Sequence, residues 1–122
     1  MLNLDTHILL HAVDGTLTRH EKRILKGDAE WGISAIVLWE IEMLLAEGRI
    51  RFGLDTPALA RLLARMQVWP ISPEVCMNLR RLDFTSDPAD ELIASTSLTY
   101  SVPLVTRDRR IRATSLFPCL GD

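Results

Sequence analysis

Short apolar runs alternate with longer segments in which apolar residues recur at helical spacing. The apolar runs predict strands at residues 2–4, 32–34, 68–71 and 102–106, with a last strand at 115–117. The helical spacing predicts helices at residues 6–12, 17–26, 35–47, 56–67, 72–82 and 87–99, and a basic helix around Arg109. Because strands that alternate with helices are joined by crossover connections, we predict an α/β fold with a parallel sheet covered on both faces.

Capping residues and prolines mark the predicted helix ends. Thr18 and Ser34 precede helices as N-caps, and Gly27 and Gly48 follow the ends of these two helices. Three further helices start at the pairs Thr56-Pro57, Ser72-Pro73 and Asp87-Pro88. Proline suits the first turn of a helix because its missing amide donor has no partner there. These signals make the helix starts firmer predictions than the helix ends.

Size and composition predict a folded protein with one domain. The chain has 122 residues, of which 48% are hydrophobic and 25% are charged. The most apolar stretch, residues 33–46, is too short to span a bilayer and contains two glutamates. The first five residues lack a basic stretch and include a carboxylate, so we expect no secretory signal, no membrane segment and a cytoplasmic location.

Charge and cysteine content narrow the choice of functions. The net charge of -2 argues against binding nucleic acid by bulk positive charge alone, although four of the six residues from 107 to 112 are arginine. Cys76 and Cys119 are far apart and show no CxxC spacing. They predict neither a disulfide framework nor a zinc site, and we expect both to be core residues.

Two aspartates directly follow predicted strands. Asp5 follows the first strand, and Asp108 lies at the junction between the strand at 102–106 and the basic helix. In open parallel sheets, ligands bind beyond the carboxyl ends of the strands. An aspartate before a helix is also a common N-cap, so each of these two residues admits a structural and a functional interpretation.

Two glutamates lie in the apolar helix predicted at residues 35–47. An isolated carboxylate in apolar surroundings is costly, so each of them needs a cation or access to solvent. Both Glu40 and Glu42 have apolar neighbours at helical spacing. Periodicity alone therefore leaves open which one faces the interior.

The segment Asp87-Pro88-Ala89-Asp90 has a different meaning for each of its acids. Asp87 is explained as an N-cap, followed by a proline in the first turn. Asp90 shares a helical face with Ile93 and Ala94, so it points inward from the start of a helix packed on the sheet. We therefore expect Asp90, and not Asp87, to face a site.

Carboxylates that converge at a sheet edge repel one another unless a divalent cation compensates their charge. Ligation by oxygen alone favours magnesium or manganese over zinc. Such a cation can lower the pKa of bound water and hold phosphate oxygens, which makes phosphodiester hydrolysis the natural chemistry of the site. Capping explains most of these acids individually, so spacing alone leaves both interpretations open.

Five segments resemble, in order, the VapC-type PIN-domain ribonucleases, which are the toxins of type II toxin-antitoxin pairs. They are residues 4–10 (LDTHILL), 34–41 (SAIVLWEI), 48–50 (GRI), 87–94 (DPADELIA) and 104–108 (LVTRD). The resemblance implies a three-layer α/β/α sandwich with a central parallel sheet and a metal site at its carboxyl edge. It favours Glu40 over Glu42, because the acid of the family motif follows the tryptophan at position 39.

The resemblance also implies a set of site residues and a mechanism. The catalytic acids that line the site and bind the metal would be Asp5, Glu40, Asp90 and Asp108, with Thr6 and Thr106 beside them. Asp5 and Asp90 would anchor Mg²⁺ or Mn²⁺, and bound water would attack the phosphodiester, leaving a 5'-phosphate and a 3'-hydroxyl. Two departures from the family pattern, Glu42 and His11, put metal affinity, the dimer surface or the partner in doubt.

The partners that the resemblance implies are an RNA substrate, a VapB-type antitoxin and a second copy of the chain in a homodimer. The candidates for gripping RNA are Arg107, Arg109, Arg110 and Arg112, unless they form a plain solvated helix face. The three tryptophans at positions 31, 39 and 69 suit either interfaces or the core. The alternative function is a PIN-fold module that binds RNA or protein without cutting.

Two other motifs carry little weight. Residues 12–18 (AVDGTLT) mimic the phosphatase motif DxDGTLT, but Ala12 stands where the nucleophilic aspartate would be, so we interpret the remaining Asp14-Gly15-Thr16 as a turn. His7 and His11 are four residues apart and could share a helical face. Without a third ligand nearby they make a weak zinc site.

Overall fold

Five short strands pair in parallel in one sheet of the computed structural model, which describes residues 1–27 and 30–121. The strands are β1 (Leu2–Leu4), β2 (Trp31–Ser34), β3 (Gln67–Trp69), β4 (Leu104–Val105) and β5 (Cys119–Leu120). Their spatial order is β3-β2-β1-β4-β5, so the first strand of the chain is the central one. β1 therefore has hydrogen-bonded neighbours on both sides, as its uninterrupted burial requires.

Helices connect these strands and flank the sheet. They are α1 (Thr6–Asp14), α2 (Arg19–Lys26), α3 (Ala35–Ala46), α4 (Pro57–Leu63), α5 (Pro73–Met77), α6 (Pro88–Tyr100) and α7 (Arg109–Arg112). A 3-10 helix, Asn78–Arg81, follows α5. The three-layer fold with a central parallel sheet is thus confirmed. Within residues 1–27 and 30–121 no helix is both long enough and apolar enough to cross a membrane.

The helix starts follow the predicted capping chemistry. Thr18 and Glu21 form a reciprocal capping box at α2, in which each side chain accepts a hydrogen bond from the other residue's backbone amide. Ser34 caps α3 and Ser72 caps α5. Gly15, with φ of 74°, ends α1 in the left-handed conformation, so the chain turns within the predicted residues 14–16, although α1 runs on to Asp14 instead of ending at Ala12.

The last strand is displaced from its predicted position. β5 covers residues 119–120, whereas the apolar run at 115–117 is irregular and only contributes to the core through the buried Phe117. Local bonds divert this run from the sheet, because Leu116 donates its amide to the Thr114 hydroxyl and Ser115 donates its amide to Asp83. The prediction of a strand at 115–117 was therefore wrong.

The cysteine prediction was also wrong for Cys76, which is exposed, while Cys119 is partly buried in the edge strand β5. On α5 the residue that faces the core is its neighbour Val75. Burial raises the pKa of the Cys119 thiol to about 11, so this thiol is unreactive at neutral pH. Neither cysteine carries chemistry that the sequence missed.

A buried amide fastens α6 to the centre of the sheet. The side-chain nitrogen of Asn3 in β1 donates to the carbonyl oxygen of Ile93 at 3.0 Å and to the hydroxyl of Ser97 at 2.9 Å. Both partners lie on α6 and all three residues are buried. Because buried amides need partners, this pair of bonds fixes α6 relative to β1 and so sets where the first turn of α6 stands.

The pairing of β2 with β3 requires a glycine at position 32. A Cβ atom there would lie 2.5 Å from Cη2 and 2.6 Å from Cζ3 of Trp69, whose indole packs over the glycine and stacks on Tyr100. We predict that Gly32→Ala lowers the free energy of unfolding by about 2 kcal/mol, because the indole must leave its packed position. Urea unfolding followed by circular dichroism measures the change.

The matched control for this substitution is Gly27→Ala. A Cβ atom at Gly27 would meet its nearest neighbours at 3.4 and 3.5 Å, and the backbone there is right-handed. We expect this variant to be as stable as the parent or slightly more stable. Equal stability of the two variants would contradict the packing of Trp69 over Gly32.

Candidate active site

Five acidic residues from distant parts of the chain line one open cleft of about 620 Å³, and one of them, Asp87, is described below. The other four are those that the sequence singled out, Asp5, Glu40, Asp90 and Asp108. Asp5 directly follows β1, Asp108 follows β4, and the other two are carried by α3 and the first turn of α6. The cleft therefore lies beyond the carboxyl ends of β1 and its neighbour β4.

Asp5 is the most buried of the four, with 6% of its surface exposed. Its Oδ2 accepts a hydrogen bond of 2.7 Å from the Thr106 hydroxyl, and its Oδ1 is buried without a hydrogen-bond partner. Burial, together with the charge of Glu40, raises the pKa of Asp5. Although Asp5 stands at the N-cap position of α1, its side chain makes no capping bond, so the capping interpretation fails here.

Thr106 serves two acids at once. While its hydroxyl donates to Asp5, its oxygen accepts a 3.1 Å hydrogen bond from the backbone amide of Asp108. Thr106 itself is fully buried, and its amide is bound to the carbonyl of Leu120 in β5. The Thr106 hydroxyl, just after β4, therefore holds Asp5 at its carboxylate and Asp108 at its backbone amide.

The structure separates the two glutamates of α3. Glu40 lines the cleft, and its Oε1 accepts a short hydrogen bond from the hydroxyl of the buried Thr6. Glu42 is exposed, and its Oε2 accepts a 3.0 Å hydrogen bond from the amide of Leu54, away from the cleft. Periodicity left open which of the two glutamates faces the interior, and the structure shows that Glu40 is the one that lines the cleft.

Asp90 is partly buried at the start of α6, where the Ser86 hydroxyl donates to its Oδ2 at 3.2 Å. Burial and then the charge of Asp5 raise the pKa of Asp90 to about 6. Glu40 and Asp108 act in the same direction, although more weakly. This carboxylate thus carries an electrostatic cost that a cation would relieve.

Asp87 departs from its predicted role. It stands at the N-cap position of α6, but its side chain makes no capping hydrogen bond. The amide of Ser86 is instead bound by the carboxylate of Glu91, and Asp87 lines the acidic cleft. We did not expect Asp87 in the cleft from the sequence, because an aspartate directly before Pro88 is typical of an N-cap and needed no further explanation.

For Asp108 the capping interpretation holds without removing the residue from the cleft. Its Oδ1 accepts hydrogen bonds from the amides of Arg110 at 2.8 Å and Ile111 at 3.3 Å, so it caps the short helix α7. Asp108 also lines the acidic cleft. A residue that is already held by two amides suits an orienting role better than that of a principal ligand.

The arginine at position 107 is bound to another part of the protein. Its Nε and Nη2 donate to the two carboxylate oxygens of Glu21 at 2.6 and 2.7 Å, and its Nη1 lies 3.0 Å from Nε2 of His11. Glu21 is fully buried, and the bonds from Arg107 lower its pKa to about 2. Arg107 therefore braces the loop between Thr106 and Asp108 against α2.

The other arginines that the sequence proposed for RNA lie outside the acidic cleft. Three of them belong to α7, namely Arg109, Arg110 and Arg112. All three are exposed, and Arg110 donates from Nη1 to the carbonyl of Thr85. The arginines on the wall of the cleft are Arg107 and Arg49, which the sequence had not proposed as an RNA contact. Glu21 completes the capping box with Thr18, and Arg49 lies in the GRI segment, but neither local signal indicates that Glu21 binds Arg107 or that Arg49 lines the cleft.

The donor set of the cleft fits a hard divalent cation. The unpartnered Oδ1 of Asp5 is buried among other carboxylates, and carboxylate oxygens are the ligands of Mg²⁺ and Mn²⁺. In residues 1–27 and 30–121 no three His, Cys, Asp or Glu side chains are yet grouped as a formed coordination sphere. Oε1 of Glu40 is held by Thr6 and Oδ1 of Asp108 by helix amides, and a shared ion would need the acidic side chains to lie closer together.

Comparison with known proteins identifies a family and a fold. The sequence profile of the PIN domain matches residues 3–115. Ribonuclease VapC22 of Mycobacterium tuberculosis is 29% identical over an alignment of 115 residues that covers 90% of this chain and 88% of the relative. This relative is thus similar over nearly its whole length.

Two solved structures share the fold. The crystal structure of VapBC2 from Rickettsia felis bound to a DNA fragment from their promoter contains a chain with a TM-score of 0.79 and 20% identity, covering 99% of this chain and 98% of that one. A toxin-antitoxin complex from Klebsiella pneumoniae contains one with a TM-score of 0.72 and 19% identity, covering 94% and 92%. At these identities the likeness concerns the fold.

We predict that Asp90→Asn stabilises the protein in EDTA at pH 7 by about 1 to 2 kcal/mol. The raised pKa means that folding disfavours the charged form, so stability falls as the pH rises from 3.8 through about 6, and the amide avoids this loss. Chemical unfolding measures the difference. The control, Asp87→Asn, removes an exposed acid from the same helix start and should leave the stability nearly unchanged; a destabilised Asp90→Asn would contradict the assignment.

We predict that Glu21→Gln lowers the free energy of unfolding at pH 7 by about 2 kcal/mol, because Arg107 loses its charged partner. The pKa of Glu21 is held below its ordinary value of 4.5, so its contribution is complete above pH 4.5 and is lost as the pH falls toward 2. The gap between parent and variant should therefore narrow over this interval. Glu47→Gln, at an exposed position, should show no such dependence, and a constant gap for Glu21→Gln would refute the ion-pair explanation.

Proposed function

This chain belongs to the PIN domain family, and on that premise we propose that it is a metal-dependent endoribonuclease, the toxin half of a VapBC-type pair. The match over residues 3–115 confirms the resemblance that the five sequence segments carried. The observation that carries the proposed activity is the buried, unpartnered Oδ1 of Asp5 in a cleft lined by five carboxylates. Such an oxygen is costly without a partner, and a cation bound there would provide one.

In the proposed mechanism Asp5 and Asp90 hold Mg²⁺ or Mn²⁺, while Glu40 and Asp108 complete or orient its surroundings. When bound, the ion supplies Lewis acidity, a lowered pKa of bound water and compensation of phosphate charge. Thr106 holds Oδ2 of Asp5, which keeps Oδ1 available to the cleft. Asp90 would hold the ion as a carboxylate, and the charge of the ion would relieve the burial and repulsion that raise the pKa of Asp90 to about 6.

Thr6 and Thr106 have supporting roles in this proposal. The hydroxyl of Thr6 orients Glu40, and the hydroxyl of Thr106 orients Asp5. Both threonines are fully buried, so their rotamers are restrained by packing. Residues that fix the ligands in this way normally affect metal affinity and rate less than the ligands themselves do.

The proposed partners are RNA, a VapB-type antitoxin and a second copy of the chain. The antitoxin proposal is supported by the toxin-antitoxin complexes among the structural neighbours and by an exposed aromatic surface beside the cleft. Trp39 lines the cleft with 56% of its surface exposed, whereas Trp69 is buried and Trp31 is partly buried. Trp39 is therefore the tryptophan available to a partner. The arrangement of the described strands in one sheet supports the single-domain proposal.

The proposed activity predicts cleavage of single-stranded RNA that requires Mg²⁺ or Mn²⁺ and stops with EDTA. Asp5→Asn should reduce kcat/KM by on the order of 100-fold or more, and Thr106→Val by roughly 10- to 100-fold, because the threonine acts through Asp5. Gel analysis of labelled RNA, with mapping of the fragment ends, measures both effects. The expected ends are 5'-phosphate and 3'-hydroxyl.

The control for this series is Asp55→Asn, which removes an exposed acid that does not line the cleft. It should cut RNA at the parental rate. Cleavage that persists in EDTA, or an Asp5→Asn variant with full activity, would contradict the metal-site proposal. RNA binding without cleavage under any metal would instead favour a non-catalytic PIN-fold module.

A further inference from the structure

A second cleft, of about 410 Å³, opens beside the acidic cleft and is called here the flanking cleft. The residues that line it are His7, Leu10, His11, Asp14, Arg49, Ile50, Arg51 and Phe52. Three of them, His7, His11 and Arg49, also line the acidic cleft. The two clefts therefore form one continuous groove that passes over Arg49.

The charge along this groove changes sign. The acidic cleft carries five carboxylates against two arginines, whereas the flanking cleft carries two arginines and one carboxylate, Asp14. The carboxylates of the acidic part repel a polynucleotide unless cations are bound there, and the phosphates next to the reacting one need positive partners. The flanking cleft is the adjoining surface that offers them.

Arg49 and Arg51 are accessible to a strand in the groove. The Arg49 side chain is 63% exposed, and its guanidinium approaches the carboxylate of Glu47 only at 3.9 Å, while Arg51 is also exposed. Ion pairs as long and exposed as this one contribute little, so a phosphate can displace Glu47. Arg107, in contrast, is already bound to Glu21.

The loop that carries these arginines is anchored by alternate residues. Ile50 and Phe52 are partly buried and pack against the hydrophobic core, while Arg49 and Arg51, which alternate with them, are exposed. The anchored residues restrain the backbone from which both arginines project, and both arginines line the flanking cleft. Preorganisation of this kind lowers the entropic cost of binding.

His11 supplies little positive charge next to the arginines. It is held at both ring nitrogens, since Nδ1 lies 2.6 Å from the Thr16 hydroxyl and Nε2 lies 3.0 Å from Arg107. Burial and then the charge of Arg107 lower the pKa of His11 from its ordinary value of 6.5, which disfavours its charged form at pH 7. Arg49 and Arg51 therefore offer a phosphate a positive charge that His11 does not.

We infer that the flanking cleft is a subsite for the RNA backbone, in which Arg49 and Arg51 contact phosphates of the strand as it leaves the acidic cleft. The inference rests on the proposed function and names the path of its substrate. It replaces the arginines of α7 as the main RNA contacts, because none of these lines either the acidic cleft or the flanking cleft. An acidic segment of a protein partner is the competing occupant, and the experiment distinguishes the two.

The test measures binding of a fluorescent 12-nucleotide oligouridine to the full chain in EDTA, by anisotropy at several salt concentrations. The double variant Arg49→Gln, Arg51→Gln should bind roughly tenfold more weakly at low salt, and the slope of log K against log salt should fall in magnitude by about 1.4, which corresponds to two lost contacts with a single strand. In cleavage assays with Mn²⁺ the variant should raise KM and leave kcat unchanged.

The matched control is Arg61→Gln, Arg65→Gln, which removes two exposed arginines that line neither cleft. It should bind and cut like the parent, and thermal unfolding should show both double variants folded. Equal losses in the two variants would mean that only net charge matters and would overturn the inference. A loss seen instead with Arg109→Gln, Arg112→Gln would return the RNA to α7 and overturn it as well.

The competing occupant and the proposed function have separate outcomes. If Arg49→Gln, Arg51→Gln binds RNA normally but binds the co-expressed antitoxin more weakly, the flanking cleft is a protein-binding surface and the inference is wrong. If the parent binds RNA through these arginines yet cleaves under no metal, the subsite stands and the nuclease proposal fails. If the parent cleaves RNA and the variant binds RNA like the parent, the nuclease proposal stands and the subsite inference fails.

Discussion

The hydrogen bond from the Thr106 hydroxyl to Asp5 is the interaction on which the acidic cleft depends. It joins residues 101 positions apart at the carboxyl ends of β1 and β4. The backbone bond from the Asp5 amide to the carbonyl of Val105 lies beside it. The same hydroxyl accepts the amide of Asp108. One buried side chain thus sets the positions of two acids, and the parallel pairing of β1 with β4 makes this possible.

The acids around this junction fall into two groups whose pKa values shift in opposite directions. Carboxylates concentrate in the cleft, where burial and mutual repulsion raise the pKa of Asp5 and Asp90. Directly behind the cleft, the ion pair between Glu21 and Arg107 is fully satisfied and lowers the pKa of its acid. The first cluster lowers stability and suits a ligand, whereas the second stabilises the loop that presents Asp108. This contrast agrees with the general cost of functional sites in stability.

From the sequence alone, periodicity and capping residues determined the alternation of strands and helices, the parallel sheet and most helix starts. These features follow from local preferences, such as proline in the first turn and serine or threonine at the N-cap. Local preference failed where tertiary contacts outweighed it. Residues 115–117 look like a strand, but bonds to Asp83 and Thr114 divert them, and the strand forms at Cys119–Leu120.

The sequence also singled out the four acids, but only the tertiary structure decided what each of them contacts. Periodicity alone did not separate Glu40 from Glu42, and no local pattern indicated that Asp5 would keep a buried oxygen without a partner while Asp108 would cap a helix. The pairing of Arg107 with Glu21 and the exposure of Arg49 beside the acids were equally hidden. The physical reason is that capping and periodicity act over a few residues, whereas the electrostatics of a site arise from side chains that the fold brings together from opposite ends of the chain.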